Sequence, residues 1–162
     1  MIKMKPRIAG LLLALALVGG DLVHAHAQDF NAEKASRAKA YFTNCAKTVQ
    51  DDAPQVDAIT VCKSAINEIA GLFSAYPDHT PTDLNILAVY SGAAAYVVVA
   101  TDLELNGNRL SMDGCNHADH VVNMYNRLTA ATNEQVETQL RQNAESTQKI
   151  LIPWCNEAYP VE

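Results

Sequence analysis

The chain predicts an all-α fold of about five antiparallel helices, stapled by disulfides into a bundle or a stack of helical hairpins. Three observations predict it: apolar residues recur every three or four positions, each such stretch stops at a proline, asparagine or glycine break, and an even number of cysteines follows an apolar leader.

The leader comes first. Lys3, Lys5 and Arg7 precede the 13-residue apolar run IAGLLLALALVGG, and Ala25, His26 and Ala27 supply a small-residue cleavage site. The run falls short of the roughly 20 residues of a membrane span. Residues 1–27 therefore read as a cleaved secretory signal and residues 28–162 as a single helical domain beginning at Gln28, in the periplasm or secreted. Removing 27 of the 162 residues leaves 135, enough to bury one core.

The first helix runs from about Asn31 to Val49, with Ala35, Ala38, Phe42, Cys45 and Val49 along one stripe before Asp51, Asp52, Ala53 and Pro54 break it. The second starts near Pro54 and repeats the stripe with Ile59, Cys62, Ile66, Ile69 and Phe73, ending in AYPDHTP. Thr80, Pro81 and Asp83 cap a third, which carries 18 uncharged residues from Leu84 to Thr101. A helix apolar on all sides belongs at the centre of a bundle. A membrane span, and a strand over Val97 to Val99, are the other readings of that run. Ala88, Ser91, Gly92 and Ala95 offer a seam for a neighbouring backbone.

Asn106 and Gly107 stop the third helix and Ser111 caps the fourth, whose core residues are Cys115, Ala118, Val121, Val122, Tyr125 and Leu128. Asn133, Glu134 and Glu137 open a fifth, apolar at Val136, Leu140 and Ile150, which Pro153 closes. Asp102, Glu104, Asn106 and Asn108 place oxygens at alternate positions, but the closing glutamate of a calcium loop is absent, so the segment reads as a turn. Tyr90 and Tyr96 read as core residues with satisfied hydroxyls, and the single tryptophan, Trp154, as a cover for the end of the bundle.

Antiparallel succession pairs the cysteines by height. Cys45 lies about seven residues before the first turn and Cys62 about ten after it, so they meet at about the same level. Cys115 and Cys155 fall at one end of the last hairpin. Of the three pairings open to four cysteines, Cys45–Cys62 with Cys115–Cys155 is the one expected.

CKSAINEIAGL from Cys62 and CNHADHVVNMY from Cys115 share a cysteine, an alanine three later and an apolar residue seven later. Together with Gly92, this resembles the small-residue pattern of tetratricopeptide-like helical hairpins, over about residues 31 to 130. The resemblance implies a scaffold that binds another chain in a groove between hairpins. Any helix pair with small contact residues is the plainer alternative.

SMDGCNHADHVVNM, residues 111–124, holds the candidate site. On a wheel of about 100° per residue, Asp113, His117, His120 and Met124 share one stripe beside the buried edge. Imidazole and carboxylate at these spacings can reach one ion, and the thioether adds softness that suits copper as well as zinc. This makes a periplasmic metal-binding protein the alternative function. The more frequent origins of such a stripe are a polar helix flank and a partner-contact surface, and the third mature histidine, His79, sits in a loop elsewhere.

Nothing in the chain reads as an active site. No nucleophile elbow, phosphate loop, dinucleotide fingerprint or CxxC is present, and bonded cysteines supply no thiolate. His117 with Asp113 could form a base and its orienter, though such pairs on exposed helices are common and idle. Of the 12 basic and 18 acidic residues, Lys3, Lys5, Arg7 and Asp21 lie in the leader, which leaves 9 against 17 and a net charge of −8 with neutral histidine. That disfavours nucleic acid and anionic membranes as partners and suits a basic protein. The expectation is an exported binding or interaction protein, a class that includes inhibitors and immunity-type proteins, with no cofactor and no enzymatic activity.

Overall fold

The computed structural model of the protein describes residues 30–75, 80–129, 131–132 and 134–160. The expected leader, 1–27, and the loop histidine His79 lie outside these. The described elements are α1 (Phe30–Gln50), α2 (Gln55–Ala75), α3 (Pro81–Leu105), α4 (Met112–Asn126), α5 (Gln135–Ser146), a π-helical turn (Thr147–Leu151) and α6 (Ile152–Ala158). The protein is an all-α, disulfide-stapled bundle. No strand occurs among the described residues, so Val97 to Val99 are helical.

Local chemistry places the ends of α3. The Thr80 hydroxyl accepts from the Asp83 amide at 3.2 Å, the Asp83 carboxylate accepts from the Thr80 amide at 3.0 Å, and Pro81 fills the first turn. At the other end Gly107 adopts φ 63° and the Asn108 amide reaches back to the Leu103 carbonyl at 2.7 Å, a left-handed stop that glycine permits without strain.

α3 is the axis of the molecule and lies against α1, α2, α4 and α5. Lys34–Asp83 and Phe42–Tyr90 show α1 parallel to it, while His120–Ser91 and Thr129–Asn85 show α4 antiparallel. One helix touching four others is a bundle, not a row of hairpins that each meet only their neighbours. α3 is long and apolar enough to cross a membrane, but 78% of its most apolar stretch is buried inside the protein, where a core helix belongs.

Both expected disulfides are present, Cys45–Cys62 with its Cα atoms 4.5 Å apart and Cys115–Cys155 at 5.8 Å. Their enclosed cores are continuous: Ala38, Phe42, Cys45 and Ala46 of α1 and Cys62, Ile66, Ile69 and Leu72 of α2 meet α3 on one side, with Ala118, Val121, Leu140 and Ala144 on the other.

Three expectations fail in the second half. Pro153 does not close the fifth helix: it stands in the first turn of α6, and the chain stays helical to Ala158. Proline offers no amide hydrogen and its ring crowds the carbonyl four residues back, so the helix widens just before it, with the Ile152 amide donating to Thr147 five residues earlier. Ile150, the last apolar position read for that helix, is 66% exposed. On α4, Val122 is half-buried outside the core cluster and Met124, expected on the flank, is 5% exposed, whereas Tyr125 and, just past the helix, Leu128 pack against the core as expected.

Candidate functional site

The site read from the sequence depends on how α4 is set. Its cap, Ser111, accepts from the Gly114 amide at 3.0 Å and is itself held by Asp102, whose carboxylate takes the Ser111 amide at 2.7 Å and hydroxyl at 2.9 Å. Asn106 donates to the same carboxylate at 3.0 Å. Asp102 is thus a buried staple between the end of α3 and the start of α4, and the loop oxygens that resembled a calcium pattern act as a turn. Gly114 is required there, since a Cβ would collide with the Asp102 carboxylate.

From that start, the four stripe residues go to different partners. Asp113 makes two contacts of 3.0 and 3.1 Å with the Lys63 ammonium of α2. His117 sets Nδ1 2.7 Å from the Asp113 carbonyl and 3.8 Å from its carboxylate. His120, half-buried, sets Nε2 2.8 Å from the Ser91 hydroxyl of α3. Met124 is inside the α3–α4 seam, where a Cβ on Gly92 would lie 3.0 Å from its own Cβ. A cation approaching Asp113 would have to displace Lys63, and the thioether is packed in the core. Among the described residues, no three His, Cys, Asp or Glu side chains are placed to hold a metal ion.

Burial lowers the His120 imidazole below the ordinary histidine value, and the charges of His117 and Arg127 press it the same way. Ser91 with His120 is a pair that the sequence reading missed. Ser91 is buried in the middle of α3, where the surrounding amides are spent in helical hydrogen bonds, so an oxyanion forming there would find no backbone donors.

A second polar group holds the connection between α4 and α5. Asn85, buried in α3, accepts from the Thr129 amide at 2.9 Å, Tyr90 donates to Glu134 at 2.5 Å, and Glu137 accepts from the Thr132 amide and hydroxyl, both at 2.6 Å. Arg141 completes it, 2.6 Å from Glu137 and over the Tyr125 ring at 5.7 Å. Burial raises the Tyr90 hydroxyl, reinforced by Glu134, so it stays a donor. Burial also pushes Glu137 up, but its bonds to Thr132 and Arg141 outweigh that and hold it below the usual range.

The Lys34–Asp83 pair, 3.5 Å apart and buried to 1% and 3% exposure, joins α1 to the cap of α3. A signal for it was available, because Lys34 stands four residues before Ala38 on the apolar stripe of α1. Trp154 is half-buried in the first turn of α6, edge-on to Tyr159 at 6.3 Å. The chain matches no protein-family model, no curated protein and no solved structure.

Proposed function

We propose that the protein is an exported binding protein that acts through its helical surface on another protein, with a basic partner favoured and inhibition or neutralisation of that partner as the class of activity. The observation that carries this reading is where the chemistry is spent and where it is left. All four cysteines are bonded in pairs, and the buried Ser91 and Asn85 side chains bond to His120 and Thr129 within the fold. Carboxylates remain at the surface: Asp51, Asp52, Asp57 and Glu104 are exposed around the turns at one end, as are the bases Lys47 and Arg109. An acidic field of this kind steers a basic protein toward contact and disfavours nucleic acid. The two disulfides belong to an oxidising compartment outside the cytosol, which an export leader would reach.

Non-denaturing mass spectrometry of protein isolated gently from its own host, without chelator, tests this. The expected species is a complex of the disulfide-bonded chain, starting at Gln28, with a basic protein. A bare chain counts against the proposal. A stoichiometric metal adduct would overturn it in favour of a metal carrier.

A further inference from the structure

We propose that the α3–α4 seam is an acid-sensitive latch, held closed by neutral His120 and loosened when its imidazole takes up a proton. The seam is tight: Leu140 and Met124 close on Gly92, so that a Cβ on that glycine would meet Leu140 Cδ1 at 2.8 Å. His120 sits in it one residue from that contact, with Nε2 on Ser91 at 2.8 Å. Its neighbours offer an imidazolium little. α4 brings His117 one turn back and Arg127 two turns on, and exposed Asp119. α2 brings Lys63, which already neutralises Asp113. α3 brings the neutral Ser91 hydroxyl, and α5 brings Leu140, its own Arg141 being held by Glu137.

Protonation need not break the Ser91 contact, because a serine hydroxyl can accept as well as donate. The cost comes from desolvating the new charge and from its repulsion by His117 and Arg127. Neither disulfide crosses the seam, since one joins α1 to α2 and the other α4 to α6. No disulfide therefore holds α4 to α3; besides their shared loop, the Asp102–Ser111 and Asn85–Thr129 hydrogen bonds at the two ends and the packing between them do.

The linkage has one sign. A histidine that is harder to protonate in the folded state costs nothing above the unfolded value of about 6.5 and destabilises as the pH falls through it toward the lower folded value. Urea unfolding between pH 8 and pH 5, on the whole mature chain and on His120→Gln, reads this directly. The glutamine can bond Ser91 and does not titrate. In the native chain the folding constant should fall by up to about tenfold per pH unit below about pH 6.5, while in His120→Gln this segment is flat. An equal fall in both proteins rejects the latch. Should the variant fail to fold, the ring resonances of His120 in the native chain decide: a midpoint below 6.5 supports the latch, and one at or above 6.5 rejects it.

Discussion

Gly92 fixes how closely α4 approaches α3, and Gly71 fixes nothing. A Cβ at Gly92 would press on Met124 Cβ and Leu140, whereas one at Gly71, exposed in α2, meets no atom within 4 Å. Gly92→Ala should cost about 1 to 3 kcal/mol through overpacking, and Gly71→Ala should add about 0.5 to 1 kcal/mol by removing backbone freedom from the unfolded chain. Urea midpoints of the two variants check both signs. Acid sensitivity has a second source in the buried carboxylates. Burial alone would raise Asp83 and Glu137, yet Thr80 and Lys34 lower the first and Thr132 and Arg141 the second. A depressed carboxyl contributes stability above its unfolded value of about 4 and loses it as the pH falls through the folded value. Glu137→Gln should therefore lower stability at pH 7 and flatten the loss below about pH 4, seen as a smaller difference between thermal midpoints at the two pH values. At this scale the sequence was partly legible: the cysteines, Thr80 and Ser111 announced their roles, while Ser91, Asn85 and Asp102 did not. Their partners are 29, 44 and 9 residues away, and only the packed helices bring them together.

Helices were the most readable level because their signals are local. Period and caps located α1 to α4 closely, and the heights of antiparallel neighbours then gave the disulfides. The fifth rod was misread because proline was treated as a stop. Its neighbours permit a wide turn instead, which keeps the axis going and places Cys155 against Cys115. On α4, counting Val122 as core turned the wheel away from Met124, so a buried methionine was grouped with the flank. The Cys45–Cys62 bond staples the α1–α2 hairpin, and Cys45→Ser and Cys62→Ser should each lower stability by about 2 to 4 kcal/mol. The double variant should be no worse than either alone, since one link is lost in all three. Denaturant titration of the three proteins tests this, and additive losses would mean that the packed thiols matter more than the bond.

For the whole molecule, the central position of α3 follows from its uncharged run from Leu84 to Thr101, but which helix lies on which of its faces does not. That arrangement separates the stripe residues into a surface ion pair, a seam histidine and a core methionine. A wheel drawn on α4 alone cannot see α2 or α3. The acidic balance is a property of composition and was read directly, whereas the exposure of Asp51, Asp52, Asp57 and Glu104 together at one end needed the order of the helices. The two disulfides also have an order in time. They join the first cysteine to the second and the third to the fourth, so their loops neither overlap nor interleave. A chain emerging from its amino end presents Cys45 and Cys62 before Cys115 has appeared. Joining cysteines in order of arrival gives the native pattern at once, and an oxidase suffices where interleaved bridges would call for an isomerase.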